Sequence, residues 1–542
     1  MSLCLAGVSQ AEDKTSQTQM GDELLHHVVE GDTLIGLAKK YLDDADLWPL
    51  FLQYNEVKNP RRLQPGSQLR VPPIEFPQIN VIFAHGDVRR VQENNTANLA
   101  LDIGDQLQEG DKVMVGSDSY LTLQFADNSI IRVRPDSVLR IQRYRDPGTA
   151  KPNTRIMELE QGSLDISVVP NVPTSKSSKA KPNHLEIITP MAVAAVRGTR
   201  FDVSASDNTT TSGVTEGVVA IRQHLPNQRA GKQALLKTGT GIRVNEEGKL
   251  GQVRPLLAAA DLSSLPAAVD HSDYLTLDWP DVLDAENYQI RIAKDAEMNQ
   301  VMTSKESSHS RIKLSNLPDG EYMIGVRAVD GDDIIGFEAK RTINIQAQPV
   351  SPMYLGPVNN QTVGKTVKLE CTQVIGATAY RVQISKSQEF ESIVVDADEL
   401  ENCSYSDSSL EDGRYYWRVA AIGQSDDGQL KQGPFSKPAQ FEVDQSTSPD
   451  YPDNPSSAYW MEDRALKFTA QISRDEDFSD IISEQVLEGT QLSLEDLAAG
   501  IYFIRLQAND EEGFSTNYST PRMVDIKLIE NTMERTWADK HK

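Results

Sequence analysis

The segments AENYQIRIA (residues 285–293) and GEYMIGVRA (residues 320–328) decide the fold of the larger part of this 542-residue chain, because each occurs three times. The later copies are, in chain order, ATAYRVQIS from Ala377, GRYYWRVAA from Gly413, ALKFTAQIS from Ala465 and GIYFIRLQA from Gly500. The alanine-to-glycine separations of 35, 36 and 35 residues make coincidence improbable. Apolar residues alternate along both segments, so each copy is predicted to contain paired strands of a β-sandwich.

Length and charge limit what the remaining residues can do. A chain of this size is expected to contain several domains, each with its own core. The net charge of −25 and the pI near 4.8 argue against a nucleic-acid partner, which needs a concentrated basic surface. No apolar run reaches the length of a membrane helix, so no transmembrane segment is expected.

The sequence shows no spacing that is typical of a catalytic or metal-binding site. The three cysteines, Cys4, Cys371 and Cys403, allow one disulfide at most and show no CxxC spacing. Cys371 and Cys403 fall in the same predicted β-domain, where a bridge and two unpaired buried thiols are both compatible with the sequence. The eight histidines include no HExxH, and no nucleophile is spaced with a base. We therefore expect no catalytic residues, no metal site and no cofactor.

The stretch HHVVEGDTLIGLAKKYLDDADLWPLFLQYNEVKNPRRLQPGSQLRVPP, from His26 to Pro73, forms a complete small unit in the prediction. Its ends have strand character. Asp32 or Thr33 can cap a first helix, in which Leu34, Leu37 and Ala38 fall at helical spacing. A second helix follows, and the Pro-Gly turn then leads into QLRVP, giving the order strand, helix, helix, strand.

This unit resembles the LysM domain through V-x-x-GDTL, then YN, then PG-x-x-L-x-VP. The resemblance implies binding to polymers that contain N-acetylglucosamine, in bacteria usually peptidoglycan. In that family a shallow groove lies between the loop after the first strand and the loop before the second. Carried over by motif position, the groove residues are Gly31, Asp32, Thr33 and Leu34 on one side and Asn55, Val57, Asn59 and Leu63 opposite. Asp32 and Thr33 have a second interpretation as a helix cap alone, and both interpretations can hold together.

Short alternating runs separated by Gly-Asp, Asp-Asn-Ser and Gln-Gly turns predict an all-β domain in the next part of the chain. Within YLTLQFADNSIIRVR, from Tyr120, the two apolar runs predict a hairpin. The order GDV, GD-x-L-x-x-GD-x-V, F-x-D-x-S, QG, TP-x-AVAAVRGT-x-F-x-V and T-x-x-EG-x-V is similar to the FecR domain of bacterial envelope proteins. Sigma-factor control, which the founding branch exerts through a membrane helix, is not carried over. The signature residues Arg197, Gly198, Thr199 and Phe201 are interpreted as structural, with partner binding by Arg197 or Arg200 as the alternative.

The three C-terminal repeats resemble fibronectin type III-like modules. The expected fold class is therefore multidomain and mainly β: a βααβ LysM module, an all-β FecR-like domain and three β-sandwich repeats. The expected boundaries are 1–21 for a signal-peptide remnant or flexible tail, 22–75 for LysM, 79–257 for the FecR-like domain, 262–346, 347–444 and 445–528 for the repeats, and 529–542 for a tail.

The functional hypothesis is a non-enzymatic cell-envelope protein in the periplasm. LysM would bind peptidoglycan, and the other domains would form a scaffold that meets an unidentified envelope protein. One alternative is a periplasmic sensor or signalling component that acts through the FecR-like domain. The other is an accessory factor of a wall hydrolase.

Overall fold

The structure is a computed structural model that describes residues 24–42, 45–73, 77–91, 98–144, 154–170, 184–196, 198–224, 231–271, 274–315, 317–424, 428–447, 454–462, 464 and 466–528. The chain divides into two compact units, Met1–Val253 and Arg254–Lys542. The predicted N-terminal remnant, the C-terminal tail and Arg197 lie outside the described residues.

The N-terminal module has the predicted βααβ order. Its elements are β1 (Leu25–His27), α1 (Leu34–Leu42), a 3-10 turn (Ala45–Leu47), α2 (Trp48–Tyr54) and β2 (Gln68–Arg70). The two strands pair antiparallel, with His26 opposite Leu69. Leu34, Leu37 and Ala38 are buried in the module's core, as their helical spacing predicted. The two helices therefore cover one face of a two-stranded sheet.

The second domain is all β, as predicted. Its strands are β3 (Ile79–His85), β4 (Val88–Val91), β5 (Leu99–Ala100), β6 (Gln106–Leu107), β7 (Lys112–Val115), β8 (Tyr120–Gln124), β9 (Ile130–Val133), β10 (Ser137–Tyr144), β11 (Thr154–Ser167), β12 (His184–Ile188), β13 (Ala192–Val196), β14 (Arg200–Ala205), β15 (Thr210–Glu216), β16 (Val218–Gln223), β17 (Gln233–Lys237) and β18 (Thr240–Val244). Strands β8 and β9 form the predicted hairpin, with Leu121 opposite Val133 and Leu123 opposite Ile131.

The long strand β11 belongs to two pairing groups. Its first half pairs with β10 and β12, and its second half pairs with β9 and β14. The change occurs at Gly162, which has φ +92° and whose Cβ would lie 2.5 Å from the Ser137 Cα. The Gln-Gly pair was predicted to be a turn between strands. It is instead a bend inside one strand, because glycine adopts this φ without steric cost.

The second unit contains the three repeats. After β19 (Arg254–Pro255), repeat 1 consists of β20 (Ala268–Val269), β21 (Leu275–Asp278), β22 (Asn287–Ala293), β23 (Val301–Ser307), β24 (Arg311–Leu314), β25 (Gly320–Val329) and β26 (Ile335–Ile345). Repeat 2 consists of β27 (Tyr354–Gly356), β28 (Gln361–Val363), β29 (Val367–Cys371), β30 (Gln373–Val374), β31 (Ala377–Ser385), β32 (Ile393–Leu400), β33 (Ser404–Asp407), β34 (Gly413–Gln424), β35 (Leu430–Gln432) and β36 (Ala439–Val443). Repeat 3 consists of β37 (Ser457–Tyr459), β38 (Lys467–Ser473), β39 (Ile481–Leu487), β40 (Gln491–Ser493), β41 (Gly500–Asn509) and β42 (Arg522–Ile526).

The two recurring segments pair with each other in every repeat. The antiparallel pairs are β22 with β25, β31 with β34 and β38 with β41. The recurring tyrosines Tyr322, Tyr415 and Tyr502 are buried, and each hydroxyl donates to the backbone carbonyl four residues earlier. A buried ring with its hydroxyl tied to the backbone is a packing role. The repeated sequence pattern therefore corresponds to the centre of each sandwich.

Repeats 2 and 3 share their sheets. Strand β27 of repeat 2 pairs with β37 of repeat 3, and β30 of repeat 2 pairs with β42 of repeat 3. Met353 of repeat 2 is buried in the core of repeat 3. The two repeats are therefore continuous through backbone hydrogen bonds and apolar packing.

Candidate functional site

The loop after β1 is organised around the carboxylate of Asp32. Its Oδ2 accepts a hydrogen bond from the Val29 amide at 2.8 Å and lies 2.8 Å from His26 Nε2. The other ring nitrogen of His26 lies 2.8 Å from the Tyr41 hydroxyl in α1. The chain Tyr41, His26, Asp32 thus ties this loop to both the strand and the first helix.

These contacts also affect the charge of the loop. The hydrogen bond from the Val29 amide, followed by that from His26, lowers the pKa of the Asp32 carboxyl below its usual range. Asp32 therefore stays ionised at neutral pH. Both of its hydrogen bonds within the described residues go to Oδ2, so Oδ1 remains as an acceptor for a ligand.

Thr33 caps the first helix, as one of the two interpretations predicted. Its Oγ1 accepts from the Gly36 amide at 3.0 Å, which satisfies one of the free amides at the start of α1. Gly31 precedes the pair with φ +95°, and a Cβ there would meet no atom within 4 Å. The backbone at Gly31 is therefore open, and a ligand can approach it closely.

The opposite side of the predicted groove is held by Asn55. Its Nδ2 donates to the Phe51 carbonyl at 2.9 Å and to the Arg70 carbonyl at 2.8 Å, while its Oδ1 accepts from the Arg70 amide at 2.7 Å. This side chain therefore joins the end of α2 to β2. Its role in the structure is to fix the loop that follows it.

The remaining predicted groove residues differ in how accessible they are. Leu34 is 1 % exposed and Leu63 is 9 % exposed, and both pack in the module's core. Val57 is half-buried against that core, and Asn59 is exposed with its Oδ1 accepting from the Arg61 amide at 3.0 Å. The side chains that a ligand can reach are thus Asp32, Thr33, Val57 and Asn59, whereas the two leucines shape the surface from beneath.

The described part of the signature segment of the FecR-like domain is closely packed against neighbouring residues. At Gly198, which has φ +62°, a Cβ would lie 2.9 Å from the Cα of Pro170. Thr199 and Phe201 are buried, and the Thr199 carbonyl accepts from the Val168 amide at 2.9 Å. Arg200 is exposed and lies 3.5 Å from Glu216. These contacts fit the structural interpretation of the described part of this motif.

The same domain contains a buried ion pair that the sequence does not indicate. Arg155 is 1 % exposed, and its two Nη atoms donate to the two carboxylate oxygens of Asp127 at 3.0 and 2.5 Å. Burial opposes ionisation of Asp127, but the hydrogen bond and charge of Arg155, together with hydrogen bonds from Ser129, outweigh it and lower the pKa of the carboxyl. Asp127 is the aspartate of F-x-D-x-S, which the sequence places in a turn and in the FecR-like pattern. No spacing in the sequence connects it to an arginine 28 residues away.

Cys371 and Cys403 of repeat 2 form a disulfide, with Cα atoms 5.2 Å apart. Of the two states that the sequence left open, the structure has the bonded one. Among the described residues, no group of three or more His, Cys, Asp or Glu side chains is placed to hold a metal ion. Within the same residues, no helix is long and apolar enough to span a membrane.

Two family models match parts of the chain. Residues 26–72 match the LysM domain, and residues 111–220 match the FecR protein family. These families are non-catalytic and typical of envelope proteins. Among curated proteins, none is similar enough to count as a match.

Several solved structures are similar to segments of the chain. A putative anti-sigma factor from Parabacteroides distasonis is 18 % identical, with a TM-score of 0.21; the match covers 27 % of this chain and 59 % of that protein. The FN1–FN3 domains of chicken CNTN1 are 15 % identical over 50 % of this chain and 99 % of theirs, with a TM-score of 0.15. A two-domain fibronectin type III segment of chicken tenascin is 14 % identical over 34 % of this chain and 99 % of its own, with a TM-score of 0.18. The chain therefore has a LysM match in its N-terminal module and a FecR match in its all-β domain, and three β-sandwich repeats follow.

Proposed function

We propose that this protein binds N-acetylglucosamine-containing glycan of the bacterial cell wall through its LysM module. The observation that carries the proposal is the pair of fixed loops, one held by Asp32 and Thr33 and the other by Asn55. Both loops are ordered by their own hydrogen bonds, so ligand binding does not require them to lose conformational entropy. Glycan binding fits a shallow surface that offers backbone amides, short polar side chains and a small apolar area.

Each accessible side chain named below carries a group that can contact an acetamido sugar. The free Oδ1 of Asp32 can accept from a sugar hydroxyl or from the acetamido N–H. The amide nitrogen of Asn59 can donate to the acetamido carbonyl, because its Oδ1 already accepts from Arg61. Val57 supplies apolar contact for the methyl group. The exposed backbone at Gly31 allows the sugar to come close to the main chain.

In this proposal the protein works in the periplasm as a non-enzymatic scaffold. The FecR-like domain and the repeats present surfaces to an envelope partner while LysM holds the wall. A single LysM module gives weak affinity, so a second contact would increase retention through effective concentration.

The experiment is pelleting of the purified chain with insoluble peptidoglycan. The variants are a deletion of residues 22–75 and the double substitution Asp32→Ala with Asn59→Ala, which leaves the buried leucines intact. Gln53→Ala, an exposed change on α2, is the matched control. We expect the deletion to abolish pelleting, the double variant to reduce it at least about tenfold, and the control to pellet normally. Normal pelleting of the deletion variant would refute the proposal.

A second candidate function is signalling through the FecR-like domain, which the match over residues 111–220 favours. Strands β16 and β17 give it a surface, because Val218 on β16 and Leu235 on β17 are 49 % and 60 % exposed. Ala220 stands opposite Leu235 and two residues from Val218, so these side chains share one face. If pelleting survives the LysM deletion, this domain becomes the leading candidate for contact with the envelope.

A further inference from the structure

Repeat 1 contains an open cleft of about 950 Å³ beside the end of β21. Three carboxylates, those of Asp278, Asp281 and Asp284, line it, and all three residues are exposed. The only arginine among its lining residues is Arg311, whose guanidinium donates to Glu512 at 3.1 Å. Its charge is thus already balanced, and the cleft is acidic.

The wall of this cleft includes an indole without a hydrogen-bond partner. Trp279 lines the cleft and is 4 % exposed, and within the described residues its Nε1 has no acceptor. The indole nitrogen lies beneath the cleft surface, so the ring itself supplies an apolar wall to the cleft.

The same cleft has an exposed apolar side chain. Leu283 is 83 % exposed, the highest value among the large exposed hydrophobic residues of the described chain. The residue after it, Asp284, has φ +64°, so the segment turns sharply there. An exposed leucine between Asp281 and Asp284 is suited to contact an occupant that carries both apolar and basic side chains.

In repeat 2 the equivalent segment is paired with a strand of repeat 3. The amide of Val282 donates to the Tyr288 hydroxyl at 2.8 Å, and the amide of Val374 donates to the Tyr380 hydroxyl at 2.9 Å, so the two segments correspond. In repeat 2 this segment is strand β30, which pairs antiparallel with Arg522 and Met523 of β42. In repeat 1 the corresponding residues are in no strand and border the cleft.

We propose that the cleft of repeat 1 binds an extended peptide segment with a Lys or Arg side chain, supplied by a partner protein. The segment would lie along Asp281 and Val282 as β42 lies along β30. Its basic side chain would sit among the three carboxylates, and its apolar side chains would contact Leu283. This inference does not depend on glycan binding by LysM.

The probe is a labelled peptide with the sequence TPRMVDI, that of residues 520–526, which contains the strand that already pairs with the equivalent segment. Its partner probe has Glu in place of Arg. Binding to the full-length protein is measured by fluorescence anisotropy at low salt. We expect saturable binding of the Arg peptide, at least about tenfold weaker binding of the Glu peptide, and loss of affinity as salt is raised.

The cleft itself is tested with Asp281→Asn plus Asp284→Asn, since asparagine also adopts the positive φ at position 284. The matched control is Glu306→Gln plus Glu321→Gln, which removes the same charge from exposed positions of repeat 1 outside the cleft lining. We expect the first variant to bind the Arg peptide at least about tenfold more weakly and the control to bind it normally. Equal affinity in all three proteins, or no saturable binding at millimolar peptide, would overturn the proposal.

Discussion

Repeat 3 meets repeat 2 and repeat 1 in different ways. Its contact with repeat 2 consists mainly of shared sheets and a buried methionine, together with an ion pair in which Lys437 donates to Glu462 at 3.2 Å. Its contact with repeat 1 includes a polar cluster: Asp510 accepts from Lys313 at 2.5 Å and from the Tyr274 hydroxyl at 2.7 Å, and Glu512 accepts from Lys313 at 2.7 Å. Backbone pairing and apolar burial respond little to salt, whereas charged contacts do. The second unit therefore combines one contact in which backbone pairing and apolar burial dominate with another that is more sensitive to salt and pH.

The largest effect is expected when repeat 3 is separated from repeat 2. Residues 445–528 alone would lose one of the two strand partners of β37 and one of the two of β42, and would lack Met353 in the core. We expect this fragment to show no cooperative thermal transition by circular dichroism, while residues 347–528 unfold in a single transition. An isolated repeat 3 that melts at the same temperature as the pair would show that the shared sheets contribute little.

A smaller effect is expected from removing the disulfide. Cys371→Ala with Cys403→Ala should lower the free energy of unfolding of repeat 2 by about 2–4 kcal/mol. Because β29 pairs with β27, which in turn pairs with β37, the loss should spread into repeat 3. Hydrogen exchange should therefore increase in β37 and β40 but not in β22 and β25 of repeat 1. An increase confined to repeat 2 would contradict the idea that repeats 2 and 3 act as one folding unit.

The sequence predicted what depends on neighbouring residues and missed what depends on distant ones. The helix spacing of Leu34, Leu37 and Ala38 and the hairpin of β8 and β9 follow from local periodicity, which can be read in a single segment. The pairing of β30 with β42 joins residues far apart in the chain and has no local signal. The bend at Gly162 was misread because a glycine that ends a strand and one that bends it look alike in sequence.

The candidate glycan site shows the same limit. Motif position placed Asp32, Thr33, Asn55 and Asn59 on two loops, and the structure shows each of them hydrogen-bonded to the backbone of the module. Motif position placed Leu34 and Leu63 on the groove, but both pack in the core. Helical spacing predicted this for Leu34, whereas the burial of Leu63 depends on tertiary packing that motif position does not specify. Trp279 of repeat 1 aligns with Cys371 of repeat 2. The segment that follows this position pairs with β42 in repeat 2, whereas in repeat 1 it borders the cleft, and the sequence does not show this difference.

The smallest predicted effect concerns the charged contact between repeats 1 and 3. Burial opposes ionisation of Asp510, but hydrogen bonds from Lys313 and Tyr274 outweigh it and lower the pKa of the carboxyl to about 2. Since the unfolded pKa is about 3.9, this carboxylate stabilises the fold above that pH. Its contribution is lost as pH falls from about 4 towards 2. Asp510→Asn should therefore cost about 1–2 kcal/mol at neutral pH and almost nothing near pH 2.

This substitution separates charge from turn geometry. The Oδ1 of Asp510 accepts from the Glu512 and Phe514 amides at 2.9 Å, and the asparagine carbonyl can keep these two bonds. Asp496→Asn is the matched control, an exposed change of the same charge in repeat 3. Urea unfolding at low and high salt should show that the difference between Asp510→Asn and wild type shrinks as salt rises, while the control stays close to wild type. A difference that is constant in both salt and pH would mean that packing rather than charge holds repeat 1 against repeat 3, and the contrast between the two contacts would disappear.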